Sequence, residues 1–194
     1  MKTRLWLPAS LALTLCSIAP SLSVAQVPAP SNTPVHLAKP HPSPAQVFAK
    51  LFSSQAEEVV SAAEAMPADK YDFAPTTGEF KGVRTFGQQI THVAEAQYFF
   101  FKGFGIKPGI DVEAIGKLTS KDDVVKALKD SYAFAQQAVA TITTENAFEK
   151  IAPVDGTDTR ASIAAFALAH TNDHYGQMVV YLRLNGIVPP ASRK

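Results

Sequence analysis

Proline and glycine cut this chain into four long stretches whose apolar residues recur at helical spacing, and no text between them alternates convincingly as a strand would. The first runs from about Ala45 to Ala65, where Val47, Phe48, Leu51, Phe52, Val59 and Val60 supply an apolar face, and Pro67 ends it. The second spans about Thr85 to Lys102 and carries Phe86, Ile90, Val93 and Phe100 on one side. Ser120, with Asp123 three residues on, reads as the N-cap of the third. The fourth begins near Thr159, stays apolar and rich in alanine, and stops at Asn185-Gly186 ahead of Pro189 and Pro190. Each such helix buries its stripe by packing on others, so the predicted fold is all-α, a four-helix bundle. The connection from Gly103 to Thr119, which contains Pro108-Gly109, is long enough for a crossover between the second and third helices.

The ends of the chain read differently. Lys2 and Arg4 precede an apolar run from Leu5 to about Leu15, and Ser23-Val24-Ala25 offers small residues before Gln26. That layout predicts a secretory signal peptide over residues 1–25, with an apolar part too short to span a membrane. Residues 26–44 form a Pro-rich linker, the bundle domain is expected over 45–190, and 191–194 is a short tail. Cys16 is the single cysteine and lies inside the leader, where Leu15 is the wrong neighbour for lipidation. A mature chain without thiols has no disulfide, cysteine nucleophile or thiolate ligand. Removing Lys2 and Arg4 from the 18 basic residues leaves 16 against 17 acidic ones, interspersed along the chain. Nothing in that pattern suits nucleic acid or an anionic membrane surface. The expected protein is secreted or periplasmic, with no membrane span; a homodimer is compatible with the sequence.

The fourth stretch holds the feature that bears on function, "LAHTNDHYGQ". His170 and His174 lie four residues apart, one helical turn, on the same stripe as Ile163, Phe166, Gln177 and Tyr181. A buried imidazole without a partner costs roughly 1–3 kcal/mol, so each ring needs one. Two readings meet that need: core histidines with hydrogen-bond partners, or a pair of metal ligands aimed at one point. His92 is the one other histidine within a predicted helix, at the edge of the apolar face of the second, so it can face the pair if those helices are neighbours. Three imidazoles with an open coordination position describe a reactive metal site rather than a closed structural one. Thr171 follows His170 where a metalloprotease helix has its glutamate. Asp173 and Gln177 are candidates to orient an imidazole, to face substrate, or simply to meet solvent; Glu95, three residues after His92, could similarly hold that ring. His36 and His41 fall in the Pro-rich linker and read as solvated.

These residues resemble a known family. "TRASIAAFALAHTNDHYGQMVVYLRLNGIVPP" is similar to the closing signature of the DinB/YfiT-like superfamily: His, a second His four later, then x-Gly-Gln, an apolar helix end, a glycine and prolines. "RTFGQQITHVAEAQYFFF" resembles its second-helix signature and "YDFAP" its approach to that helix, so the likeness covers about Ala45 to Pro190. It implies a four-helix bundle with the long crossover, and His92, His170 and His174 as a metal triad. Many members carry another histidine where this chain has Asp173.

The resemblance implies a broad range of chemistry. Some relatives are metal-dependent transferases or isomerases that use thiols such as bacillithiol or mycothiol, reagents of the cytosol that fit poorly with an exported protein. Metal-dependent hydrolysis of a small-molecule substrate and a non-catalytic metal- or ligand-binding bundle of the cell envelope are the other expectations. Zinc is the expected ion, with nickel or iron as alternatives, because imidazole serves all three. Binding should weaken below about pH 6.5, where free imidazole protonates.

Overall fold

The computed structural model describes residues 41–193. The predicted signal peptide and most of the predicted linker, including His36, lie outside the described residues. Four helices dominate: α1, Pro44–Ala65; α2, Phe86–Phe101; α3, Lys121–Val139; and α4, Arg160–Leu184. At three N-termini the capping pattern is reciprocal, through Ser43 and Gln46, Thr85 and Gln88, and Thr159 and Ser162. Ser43 thus caps α1 and Pro44 opens its first turn, two residues that the composition had assigned to the linker.

Backbone and side-chain contacts fix the directions of the helices. Tyr71, just past α1, accepts the Gly87 N–H at the start of α2, and Phe52 of α1 meets Phe101 at the end of α2, so this pair is antiparallel. Lys121 of α3 donates to the Glu64 and Met66 carbonyls while Gln136 donates to Ala49, so α3 also runs against α1. Helix α2 is therefore parallel to α3, which is what the long crossover between them permits. A 3-10 segment within it, Val112–Lys117, packs on α2 with Ile115 buried. Helix α4 runs against α2, tied to it by Gln89 with Gln177 and by Gln97 with Thr171. The centre is filled by wholly buried Phe52, Phe86, Phe101, Leu128, Ile163 and Met178.

Three features depart from the sequence expectation. A two-stranded antiparallel hairpin precedes α4, with β1 at Lys150–Val154 and β2 at Thr157–Thr159. Its turn is Asp155-Gly156, with φ of 46° and 81°, the left-handed pair of a tight hairpin turn that Asp-Gly favours. Val47 and Leu51, expected on the apolar face of α1, are exposed. Leu51 rims a groove between α1 and α4, where the Gln55 amide reaches the Leu168 carbonyl and Asn172. The last described residues are no free tail: Pro189 is buried and Pro190–Ser192 packs on α1. No helix among the described residues is long and apolar enough to cross a membrane.

Candidate metal centre

The α2–α4 seam brings together the three histidines singled out from the sequence. One nitrogen from each of His92, His170 and His174 lies within 4.8 Å of the other two, with His174 buried and the other two half-buried. The ring centroids are 4.6 Å apart for His170 and His174, 4.7 Å for His92 and His174, and 5.3 Å for His92 and His170. Antiparallel packing of α2 on α4 does this, setting His92 opposite the turn that spans the other two. The exposed His41 is not part of the cluster.

Each ring is held differently. His174 Nδ1 meets Gln89 Oε1 at 2.7 Å. Gln89 Nε2 in turn donates to Gln177 Oε1 at 2.8 Å, and Gln177 Nε2 donates to the exposed Asp173 carboxylate at 2.9 Å. His170 is seated among aromatic rings instead, edge-on to Phe100 at 5.0 Å and near Phe166 at 6.5 Å. Its buried Nδ1 has no hydrogen-bond partner among the described residues. Glu95, which could have held His92 or met solvent, turns elsewhere. Its carboxylate lies against Gly116 of the crossover, where a Cβ would come within 2.7 Å of Oε1. Glycine is required there for the carboxylate to lie where it does.

The electrostatics keep the cluster uncharged. Burial pushes His92 down to about 4, helped by Arg84 and by the other two rings. Burial likewise pushes His174 down to about 4, with His170 adding to the effect. His170 is also lowered by burial, against the pull of Asp155 and Asp173. Three neutral imidazoles at pH 7 are the form that ligates metal. The His170 and His174 Nε2 atoms are 3.3 Å apart. Tetrahedral zinc with arms of about 2.0–2.1 Å would separate two ligand nitrogens by about 3.3–3.4 Å, so this edge fits such an ion.

A cavity of about 230 Å³ opens beside the cluster, lined by His92, Glu95, Ala96, Phe99, Phe100, Asp155 and His170. Burial raises the Glu95 carboxyl, against the Gly116 N–H and the charge of Arg84. Sequence reading missed Gln89 and Asp155. Gln89 was legible as a polar residue one turn before His92, and Asp155 stood in an Asp-Gly hairpin signal. The Glu95–Gly116 contact joins distant segments, with no local trace.

A four-helix bundle carrying three convergent histidines on its second and fourth helices defines a class of candidate metalloprotein. The family model for the DinB superfamily matches residues 51–178, and the chain belongs to that superfamily. A solved DinB-like protein from Bacillus cereus ATCC 10987 shares the fold, with a TM-score of 0.62 and 17% identity over 74% of this chain and 93% of that one. No curated protein matches the chain.

Proposed function

We propose that this chain is an exported metal-dependent hydrolase of a small molecule, with zinc foremost, then nickel or iron, held by His92, His170 and His174. One observation carries the reading: two of the three histidines, His92 and His170, line the same cavity as the Glu95 carboxylate. A divalent ion there supplies Lewis acidity toward a ligand in its open position. Glu95 is the group suited to move a proton, because a carboxyl raised by burial exchanges protons more readily near neutral pH. Phe99 and Phe100 offer an apolar wall for the substrate body. At about 230 Å³ the cavity is below the roughly 300–1,000 Å³ of drug-sized pockets, which favours a substrate smaller than a tripeptide-sized thiol. Export rests on the leader text, with cleavage before Gln26.

Metal analysis of the purified mature chain tests the centre: about one ion per chain is expected, and far less in His92→Ala, His170→Ala or His174→Ala. Glu95→Gln should keep the metal while losing turnover on a panel of small esters, lactones and amides. A parent protein that takes up no divalent ion ends the reading. N-terminal sequencing from the native host tests export; a lipid-modified Cys16 as first residue would overturn it.

A further inference from the structure

Asp173 and His174 are neighbours in the chain, yet they are also joined the long way round, through Gln177 on α4 and Gln89 on α2. We propose that this loop of hydrogen bonds is a positioning device: the surface carboxylate of Asp173, acting through two amides, dictates which nitrogen of His174 carries its proton. The proposal rests on the reading of the triad as a metal site for its purpose, although not for its existence.

The argument runs outward to inward. An ionised carboxylate only accepts hydrogen bonds. Gln177 must therefore turn its NH2 toward Asp173, which leaves its oxygen facing α2. Gln89 must answer that oxygen with its own NH2, and so presents Oε1 to the imidazole. Facing an acceptor at 2.7 Å, His174 Nδ1 must be the protonated nitrogen. Nε2 is then left with its lone pair, pointed at His170 Nε2 3.3 Å away. Reversing any one amide sets acceptor against acceptor or donor against donor, and Gln89 is almost wholly buried, where such a mismatch is costly. A surface charge thus settles the tautomer of a buried ring. His170, whose Nδ1 has no partner among the described residues, lacks such a device. The rest of the relay is consequently concentrated on one ligand.

The test uses the full mature chain. Nitrogen-15 NMR of the imidazoles in the metal-free parent should show His174 protonated at Nδ1 and bare at Nε2. Gln177→Leu, which leaves the buried Gln89 in place but frees its amide to turn, should mix the two tautomers. Zinc affinity, measured by competition with a chromophoric chelator, should fall about 10–100-fold in Gln89→Leu. Gln89→Glu should restore part of it, because a carboxylate oxygen still accepts from Nδ1, although its other oxygen then meets the Gln177 oxygen acceptor to acceptor. An Nε2-protonated His174 in the parent overturns the proposal, as does Gln89→Glu behaving no better than Gln89→Leu, or Gln89→Leu staying within twofold of the parent. If the parent binds no zinc, the metal reading fails, while the tautomer measurement still decides the relay.

Discussion

Helix α2 faces α3 on one side and α4 on the other, and the two seams are made of opposite materials. Toward α3, Tyr98 stacks on Phe134 at 4.7 Å, and α3 contributes wholly buried Leu128, Ala135 and Val139. Shape alone satisfies such a seam. Toward α4, Phe100 packs edge-on to Phe166, but beside that contact the seam sets His92, Gln89 and Gln97 against His170, His174, Gln177 and Thr171. Here every nitrogen and oxygen needs a partner, and two of them, Gln97 Oε1 and His170 Nδ1, have none among the described residues. Each such atom costs about 1–3 kcal/mol. A seam that carries this cost beside one that does not is organised for something other than stability.

The sharpest way to break the comparison is to damage each seam separately. Leu128→Ala removes a fully buried side chain from the apolar side and should cost about 2–5 kcal/mol in chemical denaturation. The folded fraction should still take up metal at the parent stoichiometry. Loss of metal from folded Leu128→Ala protein would show that the two seams are not independent.

Next comes pH. In the folded, metal-free chain, burial holds His92 and His174 near 4, whereas unfolded imidazoles titrate near about 6.5. Between those values the unfolded chain binds protons that the folded chain refuses. Stability is therefore full above about pH 6.5 and is lost as pH falls toward 4. The same depression moves proton competition with metal below the 6.5 expected of free imidazole, so binding should persist at pH 6. Urea midpoints of the metal-free chain at pH 7 and pH 5, compared with those of His92→Leu, give the check. Equal slopes with pH in both proteins would count against buried neutral imidazoles.

The contrast between the seams also marks how far the sequence could be read. Helical periodicity places the long segments because a stripe such as Phe86, Ile90 and Val93 is a local property of one helix. The triad was legible for the same reason: a spacing of four residues fixes His170 beside His174, and only the opposition of His92 needed the fold. The relay was half legible, since Gln177 lies one turn from Asp173, while Gln89 enters from another helix. Glu95 could have held His92 or met solvent, yet it turns to Gly116 in the crossover, a contact that no local spacing encodes. The hairpin was overlooked because Asp155-Gly156 is flanked by strands too short to alternate clearly.

A smaller effect sharpens the cost of the polar seam. His170→Leu removes the unpartnered Nδ1 and replaces a half-buried ring by an apolar side chain against Phe100 and Phe166. Metal binding should be lost, while the metal-free chain should gain about 1 kcal/mol or hold its stability. A loss of several kcal/mol, measured without metal, would mean that the imidazole is a structural element of the core.

Asp155→Asn should have the smallest effect on the fold, and the reason lies in the turn. Asn-Gly is as well suited as Asp-Gly to two successive residues with positive φ, so the hairpin should persist and stability should move by no more than about 0.5 kcal/mol. The carboxylate, however, faces the cavity shared with His170 and draws that imidazole upward against the effect of burial. Neutralising it removes an attraction for the protonated ring, so His170 should titrate at lower pH in the metal-free variant than in the parent, while His92 should change less. Imidazole NMR titrations of the two proteins would resolve this. A His170 titration that does not respond would detach the hairpin from the electrostatics of the site and leave the polar seam to α2 and α4 alone.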